Sequence, residues 1–153
     1  MLGTIFGIVD SDTYSKNSDA QLPEHSENYY FADYTSRKLP IQEHIKELRD
    51  FLIRCGCASY FRIQGNRIIF KEGFKENYFH QKFETFMQRV LTPDCFTKFC
   101  TDCQWAYRLK LCINCDYEHY VSDEYGSWET FDDFVRNLIY STEYVVFDAL
   151  SYK

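Results

Sequence analysis

The chain has 153 residues, a length for one domain spanning 1–153 with its own core, and a formal net charge of −6. No apolar run reaches the ~18 residues of a membrane helix, and the apolar opening 1–9 lacks a charged leader, so a soluble, cytoplasmic protein is expected. Aromatic residues make up 19%, with 14 Phe and 13 Tyr, so rings replace many aliphatics in the core and spare Tyr suits an interface.

The charge is unevenly placed. Residues 1–35 sum to −5, residues 36–110 to +6 and residues 111–153 to −7. Folding can mix these blocks so that they cancel. If it does not, the molecule has two electrically distinct faces, one of which can steer a charged partner.

Residues 2–9 are expected to form a strand, with Gly3 and Gly7 allowing close backbone approach. Residues 10–38 form a long polar connection, in which Tyr29, Tyr30, Phe31 and Tyr34 suggest a short pinned edge strand. Ile41, Ile45, Leu48 and Leu52 follow one helical stripe, started by Pro40 and stopped at Gly56. Cys55 and Cys57 flank that stop as small buried hydrophobes. Gly65-Asn66 joins strands 59–64 and 67–71 into a hairpin with a primed turn. Phe79, Phe83, Phe86 and Val90 predict a second helix over 76–91 with this stripe in the core, ended by Thr92-Pro93. Thr130-Phe-Asp-Asp133 has the form of a capping box opening a third helix, whose buried face is Phe131, Phe134, Val135, Leu138 and Ile139. Residues 143–149 give a last strand. The fold class is α+β: a mainly antiparallel sheet with about three helices packed on it.

Between the second and third helices lies a Cys/Tyr-rich segment, 95–125. Cys100-Thr-Asp-Cys103 and Cys112-Ile-Asn-Cys115 are two C-x-x-C pairs eight residues apart. Four thiolates in two tight turns can close the tetrahedral shell of one structural zinc. A small knuckle insertion would result, and elemental analysis would find about one zinc per chain. The competing reading takes residues 105–113, which alternate apolar and polar, as a strand paired with 118–121, with the cysteines simply buried. The residues after each second cysteine, Gln104 and Asp116, are not the glycines of usual zinc knuckles.

Catalytic patterns are missing from the sequence: it has no Gly-rich phosphate loop, nucleophile elbow or H-E-x-x-H. His44 and His80 fall off the apolar stripes and are expected in solvent. A non-enzymatic binding or inhibitor protein acting on a protein partner is therefore expected. Its surface would be the acidic, Tyr-rich loop with Asp116, Tyr117, Glu118, Tyr120, Asp123, Glu124 and Tyr125. Carboxylates spaced among rings can imitate a phosphate backbone. That is the physical logic of small phage-type blockers of restriction or CRISPR nucleases, although no motif here matches one. The alternative is a zinc-stabilised nucleic-acid-binding module using Tyr60, Arg62, Arg67, Lys71 and Lys75 on or near the hairpin, against which stands the net negative charge. An enzyme of unknown type is the third class. No small-molecule substrate is evident in the residues.

Overall fold

A computed structural model describes residues 3–16, 36–37, 40–102 and 119–152. In chain order the elements are β1 (Gly3–Asp10), α1 (Ser11–Lys16), β2 (Ser36–Arg37), α2 (Ile41–Arg54), β3 (Phe61–Gln64), β4 (Arg67–Phe70), α3 (Phe74–Val90), α4 (Pro93–Thr101), β5 (His119–Ser122), β6 (Trp128–Thr130), α5 (Phe131–Asn137) and β7 (Glu143–Tyr152). The strands form one sheet in the order β3-β4-β7-β1-β5-β6, and β2 pairs with the far end of β7.

The sheet is mixed rather than mainly antiparallel. β1 and β5 run parallel, from Thr4↔His119 to Gly7↔Ser122, beside the antiparallel β1–β7 pair. Parallel neighbours need a long crossover, and more than a hundred residues separate these two strands. Five helices, not three, are present among the described residues. The two unforeseen ones are α1, opened by Asp10, whose carboxylate accepts from the Thr13 amide at 2.8 Å, and α4, capped by Thr92 with Pro93 at its first position.

One face of the sheet carries the main core. Phe6, Ile8, Ile68, Phe70, Val121 and Val146 meet Ile45, Leu48 and Leu52 of α2, Phe74 and Tyr78 of α3, and Phe131, Phe134 and Val135 of α5. Each such fully buried side chain contributes about 2 kcal/mol toward holding the helices on the sheet. Ile5, Val9, Val145 and Leu150 are buried on the opposite face, where α1 packs on β1 and β7. There Gly7 is required by space: a Cβ on it would stand 2.6 Å from the Phe147 ring, next to the bulge between Gly7 and Ile8.

The expected features of α2 are present, with Gly56 at φ +74° closing it. The β3–β4 hairpin keeps Gln64↔Arg67 across the turn. Thr130 caps α5 as expected, though without the return bond to its own amide: Thr130 Oγ1 accepts from the Asp133 amide at 3.2 Å and donates to its carboxylate at 2.8 Å.

α3 departs from expectation. It starts two residues early and buries Phe74 and Tyr78, while Phe83 is mostly exposed and Phe86 and Val90 only half-buried. Ile139, expected in the core, is also exposed. The Tyr78 hydroxyl donates to Asp132 at 2.8 Å, Lys82 pairs with the same carboxylate, and the Arg136 guanidinium lies over the Phe79 ring. These contacts tie the first half of α3 to α5. A 17-residue helix is about 25 Å long, and its second half runs past the core it starts on.

Candidate functional site

The two hairpins end up at opposite edges of the sheet, five strand spacings or about 24 Å apart. They differ in what their charges do.

At the β3–β4 edge, most of the proposed nucleic-acid residues serve the fold. Arg67 pairs with Glu143 of β7. Lys75 Nζ donates to the Arg136 carbonyl at 3.1 Å and lies over the Tyr140 ring. Lys71 Nζ reaches the Ser59 carbonyl at 3.4 Å. Tyr60 packs on the core and lies close to Gly73, which stands at φ +90°. Arg62 is exposed. With Lys82 on Asp132, the basic middle of the chain is partly neutralised by its acidic end.

At the β5–β6 edge the acids Asp123, Glu124 and Glu129 are half-buried. Asp123 Oδ1 accepts from the amides of Tyr125 and Ser127, both at 2.9 Å, and the Asp123 amide donates back to the Ser127 carbonyl. This side-chain turn fixes the tip, and Gly126 supplies the positive φ it needs. The fixed tip presents Tyr125, 83% exposed, beside Glu124. Behind it, Tyr120 and Trp128 meet edge-on at 5.0 Å, with Trp128 44% exposed. Burial, Asp133 and Asp123 push the Glu129 carboxyl above its ordinary value. No Lys or Arg pairs with Asp123, Glu124 or Glu129 among the described residues. Of the predicted acidic loop, Tyr120, Asp123, Glu124 and Tyr125 are thus brought together, while Asp116, Tyr117 and Glu118 lie outside the described residues. Trp128 and Glu129 of the return strand were missed: Trp128 shares the face of Tyr120, and Glu129, opposite Val121, projects from the other face. Their signal was the return strand itself, since two positions after the Asx turn must pair back onto β5.

Cys100 sits in the last turn of α4 and is exposed; Cys103, Cys112 and Cys115 lie outside the described residues. Among the described residues no three His, Cys, Asp or Glu side chains converge to hold a metal ion. Cys57 is fully buried as expected, and burial pushes the Cys55 thiol up to about 12.

The histidines show what the apolar stripe hid. His80 is exposed beside Glu84, as expected, but His44 is fully buried, its Nδ1 3.5 Å from Glu47 Oε2. It lies one position before Ile45 and turns with the stripe into the sheet. Beneath it, neighbouring strands β7, β1 and β5 carry a polar row of Ser151, Thr4 and His119. Thr4 Oγ1 donates to Glu47 Oε1 at 2.6 Å and lies 3.3 Å from Ser151 Oγ. Burial raises the Glu47 carboxyl, but the His44 ring and the Thr4 hydroxyl outweigh it and hold the group below its ordinary value. The His119 ring is 4% exposed, stacked edge-on against Phe51 at 4.3 Å, and neither nitrogen has a hydrogen-bond partner among the described residues. Burial lowers its pKa to about 4, so it is a neutral ring at neutral pH.

Compared with family models, curated proteins and solved structures, the chain matches none of them.

Proposed function

We propose that the protein is a non-enzymatic binding protein that acts on a basic surface of a protein partner through hairpin β5–β6. The observation that carries this is the fixed tip: an exposed Tyr125 in a turn with Asp123 and Glu124, neither of them paired with a cation among the described residues. A rigid aromatic ring supplies contact area at little entropic cost, and unpaired carboxylates supply steering. Spaced carboxylates and rings also suit a channel built for nucleic acid, so a nucleic-acid-processing protein is the class of partner put forward. Nucleic-acid binding through β3–β4 has less support, because Arg67 and Lys75 are engaged within the fold.

Capture of partners from a lysate on the immobilised chain, with Asp123→Lys plus Glu124→Lys as control, tests the proposal. The expected result is a basic protein retained by the native chain, released by salt and lost with the double variant. Equal retention by the variant sinks the acidic-tip reading. A salt-sensitive mobility shift with short RNA or DNA would move the assignment to β3–β4.

A further inference from the structure

We propose that the protein pairs with a second copy of itself through the apolar stripe that runs from the outer half of α3 across Leu91 onto α4. Phe83, Met87 and Leu91 recur at four-residue steps along α3 and just past its end. On α4, Phe96, Phe99 and Cys100 share one face at i, i+3, i+4. Leu91 stands just before the Thr92 cap and Phe96 at the fourth helical position, the pair of places that a hydrophobic staple brings side by side. The two stripes therefore join.

The five large side chains are between 37% and 76% exposed, and no residue of α4 is buried. A nine-residue helix is too short to persist alone in water. Among the described elements its contacts are chiefly with α3. With ~200 Å² per large side chain, the stripe leaves roughly 600 Å² of apolar surface open, the upper limit for the largest patch of an ordinary monomer. Two copies face to face would remove about 1,200 Å², the lower bound of a specific interface.

A second copy also suits the charges. Beside the stripe, Lys98 pairs with Asp94 at 2.7 Å and His80 lies 3.0 Å from Glu84 within each copy. The side chains of the stripe are apolar and offer no charge to a partner of opposite sign, as a self-complementary two-fold contact allows. At long range each copy carries −6, so the contact forms against repulsion that salt screens. Salt should tighten self-pairing, whereas it should loosen the contact of hairpin β5–β6 with a basic partner.

Sedimentation velocity of the full chain over a range of concentrations and salt tests this. The expected result is a monomer–dimer equilibrium that shifts toward dimer with protein and with salt. Leu91→Glu with Phe96→Glu should give monomer under the same conditions, with an unchanged circular dichroism spectrum. Should that variant misfold, Phe99→Ser is the milder substitute. In the native chain, alkylation of Cys100, followed on its own peptide by mass spectrometry, should slow several-fold as concentration rises. A monomer at every concentration and salt, a dimer indifferent to the substitutions, or Cys100 reactivity independent of concentration would each overturn the proposal. Asp123→Lys with Glu124→Lys should leave the dimer intact, which separates this proposal from the partner contact.

Discussion

Hairpins β3–β4 and β5–β6 are built alike, as two short strands around a glycine-bearing turn at a sheet edge, yet they stand in opposite relations to the rest of the chain. β3–β4 lies against β7 and the start of α3, and its surroundings engage the cations: Glu143 is the counter-charge of Arg67, and the Arg136 carbonyl accepts from Lys75 on α3. β5–β6 lies on the far side of β1, where residues 123–133 bring acids beside acids. The lesson is that formal charge in a segment says little until its neighbours are known. A basic hairpin placed next to an acidic strand becomes structural, and an acidic hairpin without such a neighbour keeps its charge for an outside partner.

The largest expected effect tests whether the structural hairpin can be lost without the binding one. Phe70 is fully buried among Phe74, Phe134 and Tyr144, so Phe70→Ala should destabilise the protein by about 4 kcal/mol in urea unfolding. Partner affinity of the molecules that remain folded should be unchanged.

Next comes the root of β5. An unfolded histidine takes up a proton near pH 6.5, whereas folded His119 resists until about 4. The unfolded state therefore binds more protons in that window, and acid favours unfolding. Stability should fall by on the order of 3 kcal/mol as pH drops from 6.5 to 4, and His119→Phe should flatten that slope. A slope unchanged by the substitution would assign the acid sensitivity to other groups.

Smaller effects compare the turns. Gly73→Ala places a Cβ 2.9 Å from the Tyr60 ring at φ +90° and should cost about 2 kcal/mol. Asp123→Ala removes two hydrogen bonds at the binding tip and should cost about 1 kcal/mol. It should also weaken partner capture, which Gly73→Ala should not. The smallest effects lie at the charges. Arg67→Ala should cost under about 1 kcal/mol, because its ion pair is half exposed. Glu129→Gln should raise the melting temperature slightly at pH 7, with the gain vanishing as pH falls through the raised Glu129 pKa.

Local signals were legible where one residue type permits one backbone. Pro40 and Gly56 bounded α2, Gly65-Asn66 turned β3 into β4, and Thr130 with Asp133 opened α5. Thr92-Pro93 was ambiguous for the same reason: proline ends one helix as readily as it starts the next, and here it does both within three residues. His44 was misplaced because an apolar stripe is drawn from apolar residues, and a buried histidine with a carboxylate partner on its own helix adds nothing to that pattern.

The sequence alone determined the elements that local chemistry controls, along with the clustering of acids and rings around residues 120–125. It could not determine which half of the Phe stripe on α3 is core, because periodicity gives a face and not a depth. It could not determine the parallel β1–β5 pairing, nor that Thr4, Ser151 and His119 would meet beneath Glu47. Those depend on which distant strands become neighbours. Strand order also decided the contrast between the hairpins, because β7 carries Glu143 to Arg67 at one edge and no strand carries a cation to the acids of the other among the described residues.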